Sequence, residues 1–307
     1  MFLKQCEYYP EGFKREKRDI SYTVSELGKL KEEQKICEAT AILCDGERNL
    51  TVNLGAVRGI IPRDEGAIGI KEGKTREIAL VSRVGKPVCF VIEDLLFDGN
   101  GNQYALLSRR KAQEICKDDM LKKLRKGDVI NAKITHIESF GVFCDIGCGN
   151  IALLPIDFIS VSRISHPRDR FYTGQNIKAV VSEINDGRIT LTHKELLGTW
   201  EENVSNFSAG QTVSGVIRSI EEYGVFVELT PNLAGLAEPK ENVKVGQRAS
   251  VYIKSINPEK MKVKLIIIDA FDSEIDTSFS YYFDGERMDS FYYSPYQSSK
   301  QIYTEFV

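Results

Sequence analysis

One short phrase occurs twice in this chain and constrains everything around it. Phe140-Gly141-Val142-Phe143 returns as Tyr223-Gly224-Val225-Phe226, eighty-three residues later. The flanks repeat as well. KGDVINAKITHI, residues 126–137, is echoed by AGQTVSGVIRSI, with Gly127 matching Gly210. TGQNIKAVVSEI is echoed by VGQRASVYIKSI, and RITLTHK by KVKLIII. Such a repeat means a module folded more than once, each copy burying its own core. Five short alternating runs recur in each copy, separated by glycine-bearing turns. That pattern predicts a small closed five-stranded barrel rather than a sandwich.

The same plan divides the whole chain. Residues 1–32 form a charged N-terminal extension, with a short helix in SELGKLKEEQK capped by Ser25. Residues 33–110 predict a first, degenerate barrel. Setting Leu54-Gly55 against Ile146-Gly147 puts Arg48 where Phe140 stands and Thr51 where Phe143 stands, so both aromatics are gone. Residues 111–124 carry Ile115, Leu121 and Leu124 at helical spacing, which predicts a linking helix. Residues 125–196 are the second barrel, closing through the turn Asn185-Asp186-Gly187. A linker over 197–207 carries Trp200, which fills a hydrophobic gap, and 208–268 form the third barrel.

Residues 269–307 differ in kind. Eleven of the chain's 28 Phe and Tyr residues lie there. Phe279, Tyr281 and Phe283 alternate before Asp284-Gly285, a strong two-residue turn, which predicts an ordered hairpin packed on the third barrel. The rival reading is an exposed aromatic tail that stacks on bases; the acids around it would repel phosphate.

Charge matters here by its distribution. The net charge is −3. From Asp269 to Val307 eight acids stand against two bases, which leaves the tail at −6 and the rest of the chain at +3. Basic clusters occur at Lys122, Lys123, Arg125 and Lys126, and again at Arg163, Arg168 and Arg170. Alone, such clusters read as solvated faces; beside an aromatic platform they read as phosphate contacts. Seven cysteines without a Cys-x-x-Cys spacing read as reduced thiols in a cytoplasmic protein. No apolar run reaches membrane-spanning length, and the N-terminal stretch lacks the core of a secretory signal.

The residues quoted above resemble the S1 RNA-binding domain family, the OB-fold module repeated in a bacterial small-subunit ribosomal protein. The resemblance covers residues 33–268. It rests on the opening glycine, the aromatic-Gly-x-Phe phrase, the glycine turn and the closing strands Arg188-Ile189-Thr190-Leu191 and Lys262-Val263-Lys264-Leu265. It implies an all-β fold of three tandem five-stranded OB barrels, with short linking helices and a C-terminal aromatic hairpin or tail. It also implies a face that stacks single-stranded RNA. In the second module that face is Phe140, Phe143 and Arg188, with His136 at a position often basic in the family and Lys133 beside it. In the third it is Tyr223, Phe226 and Lys262. Phe226 is expected to be partly packed, because the tail could cover it. His166 is a weaker candidate. The family commonly carries a histidine at the end of strand three; Pro155, Glu238 and Pro62 stand there instead. Glu238 would repel phosphate. The first module would then contact protein or ribosome.

No Gly-rich phosphate loop, metalloprotease helix or nucleophile elbow is present in the sequence. Cys144, Cys148 and His136 can be drawn as a metal site, but no fourth ligand is evident and core cysteines are expected. The expectation is a non-enzymatic, monomeric RNA-binding protein without cofactor or metal. It would act in translation at the small ribosomal subunit, away from membranes. The alternative is an adaptor whose barrels mainly bind protein.

Overall fold

The computed structural model describes residues 8–13, 21–273 and 279–306. Two compact units divide the chain. One is Met1–Leu124 with Asn131–Lys133 and Asp145–Ile151; the other is Arg125–Ile130, Ile134–Cys144 and Ala152–Val307.

The first barrel comprises β1 (Cys37–Cys44), β2 (Leu50–Asn53), β3 (Arg58–Ile61), β4 (Pro87–Phe97) and β5 (Gln103–Ser108), closed in the order β1-β2-β3-β5-β4. Only β3 and β5 run parallel. Period-two alternation turns Cys37, Ala39 and Ala41 inward to meet Val52, Ile61, Phe90 and Leu107. Helix α1 (Val24–Glu32) buries Leu27 in that core. Its cap is Thr23, not Ser25: Glu26 N–H donates to Thr23 Oγ1 at 3.3 Å, and Thr23 N–H donates to Glu26 Oε2 at 2.7 Å. A capping box needs an acid three residues after the hydroxyl, which Thr23 has and Ser25 lacks. Between β3 and β4 lies an insert with a short helix, α2 (Ile78–Val81). The linking helix α3 runs Arg109–Asp119, earlier than its apolar spacing predicts, because Ser108 caps it by accepting from Lys111 N–H. Its buried side is Ala112, Gln113 and Cys116, and Ile115 is half-buried.

The second barrel is β6 (Val129–Glu138), β7 (Gly141–Asp145), β8 (Ile151–Pro155), β9 (Asn176–Asn185) and β10 (Arg188–Thr192), in the order β10-β8-β7-β6-β9. Asp186 and Gly187 both take positive φ, 48° and 75°, as a tight turn joining Asn185 to Arg188 requires. After a short helix, α4 (Trp200–Val204), the third barrel repeats the plan. It contains β11 (Thr212–Glu221), β12 (Gly224–Thr230), β13 (Leu233–Ala237), β14 (Arg248–Asn257) and β15 (Lys262–Phe271), closed as β11-β12-β13-β15-β14.

The polar excursion after β8 fastens the second barrel to the third. Ser162 N–H donates to Pro231 O at 3.1 Å, and Val161 N–H to Asn232 Oδ1 at 3.0 Å. Asn232 returns its amide to Lys194 O and Gly198 O, both at 2.8 Å. Buried Trp200 joins Val180, Leu196 and the third barrel's interior in one apolar cluster.

The tail corrects the predicted hairpin. Phe279, Tyr281 and Phe283 do alternate inward, but Asp284-Gly285 does not join paired strands. This segment lies across the second barrel as well as the third: the Phe279 ring is 5.5 Å from Phe171 and 5.0 Å from His193, Tyr281 Oη accepts from Lys178 N–H at 3.1 Å, and Tyr281 and Phe283 pack against the third barrel's apolar cluster. Aromatic burial there outweighs the pairing available to the polar run after Gly285. The strands that do pair are β16 (Ser290–Tyr292) and β17 (Tyr303–Glu305). Met288, Phe291, Tyr293 and Phe306 pack from this region into the cluster around Trp200.

Candidate nucleic-acid interface

The glycine of the repeated phrase is required by close approach. A Cβ at Gly141 would come within 2.5 Å of Leu154 O, and one at Gly224 within 2.4 Å of Ala237 O. The strand-two start is thereby pressed against the end of strand three, and the aromatic before each glycine is left in the preceding turn, facing solvent. Phe140 is 55% exposed and Tyr223 66%, while Phe143 and Phe226 are half-buried.

The two pairs share one geometry. Phe140 and Phe143 lie with centroids 6.1 Å apart and planes at 87°; Tyr223 and Phe226 lie at 6.2 Å and 89°. Edge-to-face packing of this kind fixes the inner ring and leaves the outer one open. The second barrel adds a third ring, since exposed His136 lies nearly parallel to Phe143 at 6.4 Å and 28°. His136 Nε2 is 2.7 Å from Glu138 Oε1.

The basic residues sort into accessible and committed groups. Arg188, Arg163, Arg168 and Lys262 are exposed. Arg170 is not: it is 3% exposed and paired with buried Glu228, which also accepts from Arg218 at 3.0 and 3.1 Å. Its assignment to RNA is therefore corrected, because the guanidinium is consumed in joining two barrels. Lys133 is committed as well, with Nζ donating to Glu11 O at 3.0 Å and Gly12 O at 3.1 Å. His166 caps a turn by accepting from Arg168 N–H at 3.1 Å.

Register adds a residue that strand-end spacing missed. In the third barrel Phe226 pairs with Leu236, and Leu236 with Lys264. Exposed Lys264, rather than Lys262, therefore lies in the row of the platform ring. The alternation Lys262-Val263-Lys264 was the available signal: both lysines share the outer face of one strand. In the second barrel the matching closing-strand partner of Leu153 is Thr190. Glu238 is offset by Lys254 Nζ at 3.3 Å, both groups exposed.

The first barrel keeps the row without its rings. Thr51 pairs with Ile60, and Ile60 with Leu106. Exposed Arg48, in the Phe140 position, has Nε 3.5 Å from Glu77 on the residue preceding α2. Arg63 engages the same carboxylate at 2.7 Å, and its N–H donates to Asn49 Oδ1 at 3.0 Å. A charged clasp occupies the place of a stacking platform.

Several buried groups titrate away from their usual ranges, His193 and Glu11 among them. His193 is fully buried among Phe171, Phe279 and Tyr281, and burial pushes its pKa down to about 4. In the first unit, burial opposes ionisation of Glu11, but Arg109 at 2.7 and 2.9 Å and nearby Arg83 hold its carboxyl below the usual range. Among the described residues no His, Cys, Asp and Glu grouping could hold a metal ion, and Cys144 and Cys148 are buried. No helix among the described residues is long and apolar enough to cross a membrane.

Residues 123–194 match the family model described as "S1 RNA binding domain". Small ribosomal subunit protein bS1 of Streptococcus pneumoniae is 30% identical over 180 residues, covering 53% of this chain and 45% of that protein. The bS1 protein of Staphylococcus aureus is 30% identical over 200 residues, covering 60% and 50%. The chain thus spans about half the length of the curated relatives it matches. A solved multidomain protein with nucleic acid binding domains from Streptococcus pneumoniae aligns at 13% identity, covering 79% of this chain and 76% of that one, with a TM-score of 0.25. That likeness is too low to add to the barrel topology.

Proposed function

We propose that this chain, whose second barrel belongs to the S1 RNA-binding domain family, binds single-stranded RNA without catalysing a reaction and acts in translation at the small ribosomal subunit. One observation supports this reading above the others: exposed edge-to-face aromatic pairs recur in the second and third barrels with the same spacing and angle. Such rings stack any base, each contributing about 1–3 kcal/mol, while Arg188, Lys262 and Lys264 meet phosphates. The bS1 names of its relatives motivate the ribosomal setting and a cytoplasmic location. Titration of fluorescent oligo(U) with the wild type and with Phe140→Ala/Phe143→Ala tests the platform. Loss of two stacking contacts weakens binding at least about tenfold; equal affinities would remove the assignment.

A second reading, an adaptor that binds protein, draws on the first barrel, where the Arg48–Glu77 contact replaces the rings. Salt separates the two. RNA affinity falls steeply as salt rises, whereas an adaptor would hold ribosomal subunits and ignore free RNA even at low salt.

A further inference from the structure

The two-stranded sheet of the tail has one face in the core and one in water. Its register pairs Ser290 with Glu305, Phe291 with Thr304, and Tyr292 with Tyr303. Directly opposed residues share a face, and alternate pairs take opposite faces. Phe291 enters the cluster around Trp200, and Thr304 Oγ1 donates to buried Glu195 Oε1 at 2.9 Å. That anchors the inner face.

The outer face is left as an aromatic shelf. Tyr292 and Tyr303 are 53% and 56% exposed, yet their rings lie nearly parallel, 5.7 Å apart at 20°. Tyr296, in the loop between the strands, is fully exposed. Two large rings held in parallel on a backed sheet lose little freedom when something lies across them. Beside Tyr303 opens a cleft of about 170 Å³ lined also by Asp157, Ser160, Lys194 and Thr304. Phe291 and Tyr293 also line it, so it opens towards the inner face and not onto the shelf.

Charge decides what fits. Glu305 stands on the same outer face, two pairs along from the tyrosines. Asp289, just before β16, is exposed, and the stretch Asp284-Gly285-Glu286 precedes it. The basic groups nearby are few. Arg287 is engaged by Asp289 at 3.3 Å and Asp128 at 3.7 Å, and Lys194 Nζ lies 4.9 Å over the Phe158 ring. Lys300 sits in the loop. A surface of tyrosines among carboxylates repels a phosphate backbone and attracts a guanidinium or ammonium, which the ring faces also hold.

We propose that Tyr292 and Tyr303, with Glu305, form a docking surface for an arginine- or lysine-bearing polypeptide segment of a partner protein, separate from the RNA platforms of the barrels. Cationic side chains lie against the parallel rings. The surface is independent of whether Phe140 and Phe143 bind RNA.

The test uses the full chain and a fluorescent Arg-Gly-Ser repeat peptide, with oligo(U) and a Glu-Gly-Ser peptide alongside. Tyr292→Ala/Tyr303→Ala should weaken the arginine peptide at least about fivefold, one cation–π contact being lost at each ring. Tyr292→Phe/Tyr303→Phe should retain it, and oligo(U) affinity should stay unchanged in both. Both rings are exposed, so buried Trp200 should show the same fluorescence in all three proteins. The proposal is overturned if the wild type ignores the arginine peptide, or if the alanine variant binds it equally. It also fails if the alanine variant loses oligo(U) instead, which would make the shelf an RNA surface.

Discussion

Arg170 on the second barrel and Glu228 on the third form a side-chain ion pair in which neither partner is more than 6% exposed. Arg218 completes the group from the third barrel, with Asp169 3.8 Å away. Arg170 Nε is buried without a hydrogen-bond partner, while Nη1 donates to Asp169 O and Nη2 to Ser160 Oγ, each at 3.5 Å. Removing Arg170 leaves Glu228 paired with Arg218 alone, so the cost falls below the roughly 3–5 kcal/mol of a fully stranded buried charge. Arg170→Ala should therefore lower the urea midpoint of the second unit. Trp200, the chain's single tryptophan and 2% exposed, reports it by fluorescence. At temperatures below the transition, affinity for an oligo(U) too short to reach two barrels should be unchanged, because the residue is a fastener and not a phosphate contact.

Lys264 carries the second prediction. It lies in the row of Phe226 and Leu236, where, on the proposed reading, a strand stacked on that ring would pass. Lys264→Ala should reduce the slope of log affinity against log salt by about 0.7, the value for one phosphate on a single strand. Lys262→Ala, lying nearer the β14–β15 turn, should reduce it less. Equal slopes for both variants would place the phosphate path elsewhere.

His193 makes the second unit sensitive to acid. Its folded pKa is depressed to about 4 from 6.5, chiefly by burial. The unfolded chain therefore binds the extra proton first. Stability is fully present above about pH 6.5, falls as pH drops towards 4, and changes no further from this group below that. At about 1.4 kcal/mol per pH unit the loss approaches roughly 3 kcal/mol. Urea unfolding at a series of pH values, followed by Trp200, should show the decline. His193→Phe should flatten it, although that variant also loses the contact of Nδ1 with Ile159 O at 3.1 Å.

Glu11 tethers the N-terminal segment of the first unit. It accepts from Arg109 at 2.7 and 2.9 Å and from Cys89 N–H at 3.0 Å, and its own N–H donates to Asp145 at 2.7 Å. Glu11→Ala leaves Arg109 buried and uncompensated, at a cost of roughly 3–5 kcal/mol. Calorimetry should show the first transition falling, while Glu11→Leu/Arg109→Met recovers part of the loss.

Much of the fold was legible because it depends on local demands that residues advertise. Gly141 and Gly224 stand where a neighbouring strand leaves no space for a Cβ, and Asp186-Gly187 where φ must be positive. Repetition then multiplied weak signals. The exposed rings Phe140 and Tyr223 followed from the same phrase. What was not legible depends on distant partners. Arg163, Arg168 and Arg170 look alike in sequence, yet one is consumed by Glu228, 58 residues on. Lys133 reads as a free cation until Glu11 and Gly12 claim it from more than 120 residues away. The tail's Asp284-Gly285 is a sound turn signal that loses to aromatic burial against Phe171 and His193. The Thr23 cap, by contrast, is a local signal, since Glu26 stands three residues on.

The fastening of the second barrel to the third has a consequence for the length of RNA recognised. On the proposed reading, a short oligonucleotide meets one aromatic pair and gains nothing from the other. A strand long enough to reach both loses its free translation once, and its second contact is intramolecular. Tethering of that kind gives effective concentrations in the millimolar range. Affinity plotted against oligonucleotide length should then rise in a step. Arg170→Ala, by loosening the fastening, should blunt the step without changing how the shortest strands bind.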